Sequence, residues 1–189
     1  MLLILTAPIQ TGKTRWLEAL ILELASRGVA SYGVVAPGRW HREPEGGELV
    51  KDGIDNVLLP SGERVRLAEA ARGRDGTAGL GWSFDAGALA RVDGHFAELA
   101  SHADDAPGAP GLLVVDELGP LELRRGEGLA HAVRLLERGP APAWLHAIVV
   151  VRPALVPLAK ERFQAAWGDL EPVVPGDDTR ELVLGLFGA

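Results

Sequence analysis

Leu2-Leu3-Ile4-Leu5 is an unbroken apolar run that stops at Thr6, the pattern of a short strand covered on both faces of a parallel sheet. From Lys13 the period changes. Trp16, Leu17, Leu20, Ile21 and Leu24 recur at helical spacing, Glu23 and Arg27 fall on the opposite side, and Gly28 supplies a stop. Val29 to Ala36 is again strand-like, so the chain opens strand, loop, helix, strand. Asp85 stands at an N-cap position before a helix with the apolar face Leu89, Val92, Phe96 and Leu99. Leu112-Leu113-Val114-Val115 is again a buried strand, ending in acids, and a helix is predicted from about Arg124 to Arg138. Trp144 to Val151 predicts a central strand, Ala154 to Trp167 a helix, and Glu171 to Val174 with Asp178 to Phe187 a last strand and helix. This alternation predicts an α/β protein of three layers, α/β/α, with a mostly parallel sheet wrapped on both faces.

One stretch departs from the alternation. Between Gly46 and Ala68, Asp52-Gly53 and Pro60-Ser61-Gly62 are turn signals between short β-like runs, among them Arg64-Val65-Arg66-Leu67. They predict a small β-meander inserted after the second strand. Arg72 to Leu80, rich in Gly, Arg and Asp, is expected as an exposed loop, and His102 to Gly111 as a polar connector. No internal repeat is visible, and 189 residues suit one α/β domain over 1–189.

Composition narrows the class. The chain is 47% hydrophobic and 24% charged, as expected for a globular protein, and a formal net charge of -7 disfavours a nonspecific grip on nucleic acid or anionic membrane. The absence of cysteine excludes thiolate metal sites and a cysteine nucleophile. His41, His95, His102, His131 and His146 have no metal-ligand spacing. Met1 to Thr6 lacks a basic flank and runs into Lys13 and Arg15, unlike a signal peptide. No apolar run approaches the roughly 20 residues of a membrane span. A cytoplasmic location is the expectation, and a protein partner is left open.

Two motifs carry chemistry. Ala7-Pro8-Ile9-Gln10-Thr11-Gly12-Lys13-Thr14 joins the first strand to the first helix and fits a phosphate-binding loop, with Ala7 in place of the usual first glycine. Its amides are suited to wrap a β-phosphate, and Gly12 permits close approach. Lys13 is placed to bridge the β- and γ-phosphates, and the Thr14 hydroxyl to ligate Mg2+. Asp116-Glu117 follows Leu112–Val115, at the carboxyl end of a buried strand where parallel sheets present ligand crevices. Asp116 is read as holding the magnesium through water, and Glu117 as the base that activates the attacking water.

The run Asp116-Glu117-Leu118-Gly119-Pro120-Leu121-Glu122-Leu123 resembles the Asp-Glu-Ile-Gly-x-Met-Glu-Leu signature of the small thermophile-type, or cancer-related, nucleoside triphosphatases. The phosphate loop, the meander and Gly81-Trp82-Ser83-Phe84-Asp85 occupy similar positions, so the resemblance covers most of the chain. It implies a P-loop NTPase fold of the additional-strand kind, related to the RecA and AAA+ groups. It also implies hydrolysis of ATP, GTP or other nucleoside triphosphates through Lys13, Thr14, Asp116 and Glu117. The chain departs from the family in Ala7 and Thr11, and in Ala36-Pro37-Gly38-Arg39-Trp40-His41-Arg42, where the family tends to have Thr-Glu-x-x-Arg.

Further residues are candidates. Trp40 is suited to stack on a base and Arg39 or Arg42 to contact phosphate. Arg152, ending the strand Ile148–Val151, is placed to sense the γ-phosphate or act as a built-in arginine finger, with a surface ion pair as the alternative. Two other functions stay open: a nucleoside or small-molecule kinase with Arg72–Asp75 as a lid, and a nucleotide-dependent binding module with slow hydrolysis.

Overall fold

A computed structural model describes residues 1–42, 46–70, 82–105 and 108–188. The loop expected at Arg72–Leu80, and with it the kinase lid, lies outside the described residues.

The apolar runs form the strands β1 (Leu2–Leu5), β2 (Ser31–Val35), β7 (Gly111–Leu118) and β8 (Trp144–Val151), joined by the two-residue β9 (Pro172–Val173). These five are mutually parallel in the order β2-β7-β8-β1-β9. Alternate residues face opposite layers. Leu2, Ile4, Val34, Leu113, Val115, Val149 and Val151 pack under α2 (Ala86–His102), α3 (Ala130–Arg138) and α4 (Val156–Trp167) through Val92, Phe96, Val133, Leu136 and Phe163. Leu3, Leu5, Val35, Leu112, Val114, Ile148 and Val150 pack under α1 (Lys13–Ser26) and α5 (Asp177–Gly185) through Leu17, Leu20, Leu24, Val183 and Leu184. The result is the three-layer α/β/α P-loop NTPase fold, in which β8 is inserted between β1 and β7.

The meander is larger than its turn signals predict. Four antiparallel strands, β3 (Gly38–Arg42), β4 (Leu49–Leu59), β5 (Arg64–Ala70) and β6 (Trp82–Phe84), extend the sheet in the order β6-β5-β4-β2, with β3 paired to β4. Gly38–Arg42 is therefore also a strand, lying before the Gly46 start expected for the meander. Its backbone pairs with β4 along one side, and no apolar alternation announced it.

The helix predicted from Arg124 to Arg138 is also interrupted. Leu121–Arg125 forms a π-helical turn, Gly126 (φ 68°) and Gly128 (φ 71°) adopt the left-handed conformation, and α3 begins only at Ala130. α3 has no cap of its own. Asp93 of α2 supplies one, accepting from the His131 amide and ring Nδ1 at 2.7 Å each. The Asp85 cap forms as expected, its Oδ1 accepting from the Ala88 amide at 2.7 Å. Among the described residues, no helix is long and apolar enough to cross a membrane.

Gly33 sets the spacing of β2 against β7. It sits at φ 105°, and a Cβ there would fall on the Val114 carbonyl oxygen. Gly33→Ala is expected to lower stability by about 2–4 kcal/mol. Gly94 in α2 has open space around it, and Gly94→Ala is expected to raise stability by about 0.5–1 kcal/mol. Urea midpoints at constant slope check both.

Candidate functional site

The carboxyl ends of adjacent parallel strands bring the candidate residues together. The loop Ala7–Thr14 leaves β1, Arg152 leaves β8, Asp116 and Glu117 end β7, and Ala36 follows β2. Because β8 separates β1 from β7, Arg152 emerges between the phosphate loop and the acidic pair.

The loop turns through Gln10 (φ 61°) and Gly12 (φ 88°), and Thr11 Oγ1 donates to the Pro8 carbonyl at 2.8 Å. Gly12 has no neighbour within 4 Å of a Cβ position, and α1 begins without a side-chain cap. Its first amides and its positive dipole end are thus available to an anion. Lys13 is buried, and its Nζ donates to the carbonyls of Ala7 and Pro8, both at 2.9 Å. No described carboxylate lies within ion-pair distance of it, and its charge is solvated by these loop carbonyls.

Asp116 is 5% exposed, and its Oδ2 accepts from the Ala36 amide at 3.0 Å. Burial raises its carboxyl to about 6; the Ala36 and Thr14 hydrogen bonds and Lys13 oppose the shift, and Glu117 adds to it. Glu117 is one-third exposed and pairs with Arg152 Nε at 2.5 Å.

A magnesium nucleotide fits this donor set. The Thr14 hydroxyl lies beside a buried carboxylate that has no cationic partner at contact distance among the described residues, a hard-oxygen pair of the kind Mg2+ uses alongside substrate phosphates and water. The turn from Ala7 to Thr14 leads into the uncapped start of α1 beside this pair.

The β3 candidates fare differently. Arg39 is drawn into an ion network with Asp52 (3.2 Å), Asp55 (3.6 Å) and Glu69 (3.5 Å) that braces β3, β4 and β5, so its guanidinium is occupied by carboxylates. Trp40, paired in register with Lys51, is 39% exposed.

Two residues escaped the sequence reading. Glu122, within the run after Asp116, carries no motif signal of its own. It is buried, and its Oε2 accepts from the Gly119 amide at 2.8 Å, while Gly128 makes room for Oε1. It folds the chain after Glu117 back on itself, and burial raises its carboxyl pKa. Lys51 of β4 lies within electrostatic reach of Glu117, Asp116 and Arg152; burial lowers its pKa, and the two carboxylates oppose the shift. The scarcity of lysine, three in the chain, was the available signal.

Comparison with known proteins bears on the fold. The crystal structure of THEP1 from the hyperthermophile Aquifex aeolicus superposes over 100% of both chains with a TM-score of 0.67 at 14% sequence identity. At that identity the similarity establishes the fold. No protein-family model and no curated protein matches the sequence.

The Asp116 shift has a stability consequence. Between the ordinary carboxylate range near 4 and about 6, the folded protein keeps a proton that the unfolded chain has released, so stability falls as pH rises through that window and the loss is complete above it. Asp116→Asn removes the buried charge and keeps an acceptor for Ala36. Without magnesium or nucleotide at pH 7.5, it is expected to be more stable than wild type by on the order of 1–3 kcal/mol. The advantage should vanish below pH 4, as read from urea unfolding at several pH values.

Proposed function

We propose that this chain, acting as one domain, is a magnesium-dependent nucleoside triphosphatase that converts ATP, GTP or a related nucleotide to the diphosphate and phosphate. It would belong to the small triphosphatases that its Asp116–Leu123 run resembles. The observation that carries this reading is the buried Asp116 beside the Thr14 hydroxyl, with Lys13, solvated by loop carbonyls, and Glu117 both within electrostatic reach.

Each residue then has a task. The amides from Pro8 to Thr14 and the start of α1 hold the β-phosphate, and Lys13 exchanges its two loop carbonyls for β- and γ-phosphate oxygens. Thr14 and Asp116 would hold Mg2+, which supplies charge neutralisation across the β- and γ-phosphates. Glu117 accepts a proton from a water whose oxygen bonds to the γ-phosphorus as the bond to the β,γ-bridging oxygen breaks. Arg152 restrains Glu117 until nucleotide arrives, and its guanidinium then turns to the γ-phosphate. Arg39, already paired, is left out of this assignment, and Trp40 is kept as a candidate for base stacking.

The Arg152–Glu117 pair also favours a second reading. A base held in an ion pair suits a nucleotide-dependent binding module whose slow hydrolysis accelerates when a protein partner breaks the pair.

Single-turnover phosphate release separates these readings. Glu117→Gln should bind magnesium nucleotide as wild type does and hydrolyse it at least ~100-fold more slowly, because a general base contributes about 10²–10⁴-fold. Near-normal hydrolysis by this variant would move the preference to the binding module. Lys13→Ala is expected to lose triphosphate affinity and turnover together. Wild-type rates in that variant would remove the phosphate-loop assignment.

A further inference from the structure

β4 runs antiparallel to β2, with Val57 opposite Val35 at the end of β2. The earlier part of β4 therefore continues past the carboxyl edge of the parallel strands, accompanied by β3. Lys51 lies in this overhang. Its stem crosses the backbone at Gly38, where a Cβ would stand only 2.7 Å from Lys51 Cε and 2.9 Å from Trp40 Nε1. Gly38 lies just beyond Ala36, whose amide donates to Asp116. The missing side chain at Gly38 thus opens a path from β4 toward the acidic pair.

The Lys51 ammonium rests 5.2 Å from the centre of the Trp82 ring. No described carboxylate lies within ion-pair distance of it. A lysine kept only for solubility would extend into water; this one is half-buried, held by an aromatic face, and within the field of Glu117 and Asp116. Charge balance gives it a purpose. Lys13 and Arg152 offset Asp116 and Glu117 in formal charge, whereas a magnesium triphosphate brings roughly two further negative charges into the same crevice.

We propose that Lys51 leaves the face of Trp82 when a triphosphate binds and contacts the γ-phosphate oxygens, as a second phosphate-binding cation delivered from the antiparallel extension. This rests on the nucleoside triphosphatase reading above. A diphosphate lacks the group Lys51 reaches, so the residue discriminates triphosphate from diphosphate and stabilises the charge of the transferring phosphoryl group.

The test compares wild type, Lys51→Met, Lys51→Arg and Gly38→Ala. The measurements are equilibrium binding of MgADP and of a magnesium-bound non-hydrolysable ATP analogue, and single-turnover ATP hydrolysis. Lys51→Met should keep MgADP affinity within about twofold, lose about tenfold in analogue affinity and about 10²–10³-fold in hydrolysis. Lys51→Arg should restore most of the analogue affinity, and Gly38→Ala should reproduce part of the loss, since its methyl displaces the lysine stem while leaving its charge. The part of the analogue-induced tryptophan fluorescence change that Trp82→Phe removes should also vanish in Lys51→Met. MgADP binding doubles as the folding check, with Lys51→Gln read the same way if Lys51→Met fails it. An unchanged preference for analogue over MgADP together with unchanged hydrolysis overturns the role of Lys51 and leaves the triphosphatase reading standing. A wild-type protein that neither binds nor hydrolyses nucleotide overturns both.

Discussion

The amide of Ala36 donating to the buried carboxylate of Asp116 is the contact on which the rest of the site depends. It joins the end of β2 to the end of β7 in a place where an unsatisfied carboxylate would otherwise be expensive to bury. It also fixes where the chain leaves β2, and so where β3 and β4 rise above the crevice. One hydrogen bond thereby couples the candidate metal ligand to the path of the extension that carries Lys51.

Around that contact the site is organised by unpaired or partly paired charge. Lys13 is solvated by carbonyls, Lys51 by an indole face, and Asp116 by an amide and a hydroxyl. Among the described charges of the site, only Glu117 and Arg152 meet directly. Such an arrangement is held open by the backbone rather than closed by its own ion pairs, and it is poised for a ligand of mixed charge. The buried Glu122, bracing Gly119, keeps the segment after the acidic pair from collapsing into the crevice.

Legibility from sequence divides along the same line. Leu2–Leu5 and Leu112–Val115 are apolar throughout, and each is followed at once by its motif, so strand and chemistry could be read together. The antiparallel extension was harder. Gly38-Arg39-Trp40-His41-Arg42 carries no apolar alternation, because β3 pairs on one side only and its side chains are ion-paired or exposed. Lys51 was invisible for a geometric reason: its relevance depends on the direction in which β4 returns, which no local pattern encodes. Gly126 and Gly128 divided a predicted helix because Glu122 needed the space that Gly128 leaves.

The lengths of the outer strands bear on how the molecule behaves among its copies. β6 and β9, which close the two ends of the sheet, are three and two residues long, too short to offer another chain a useful row of free amides and carbonyls. β3, which among the described residues pairs only with β4, is five residues long and ends on the exposed Arg42. A sheet this wide is thus guarded at its margins against lateral growth by the shortness of its outer strands.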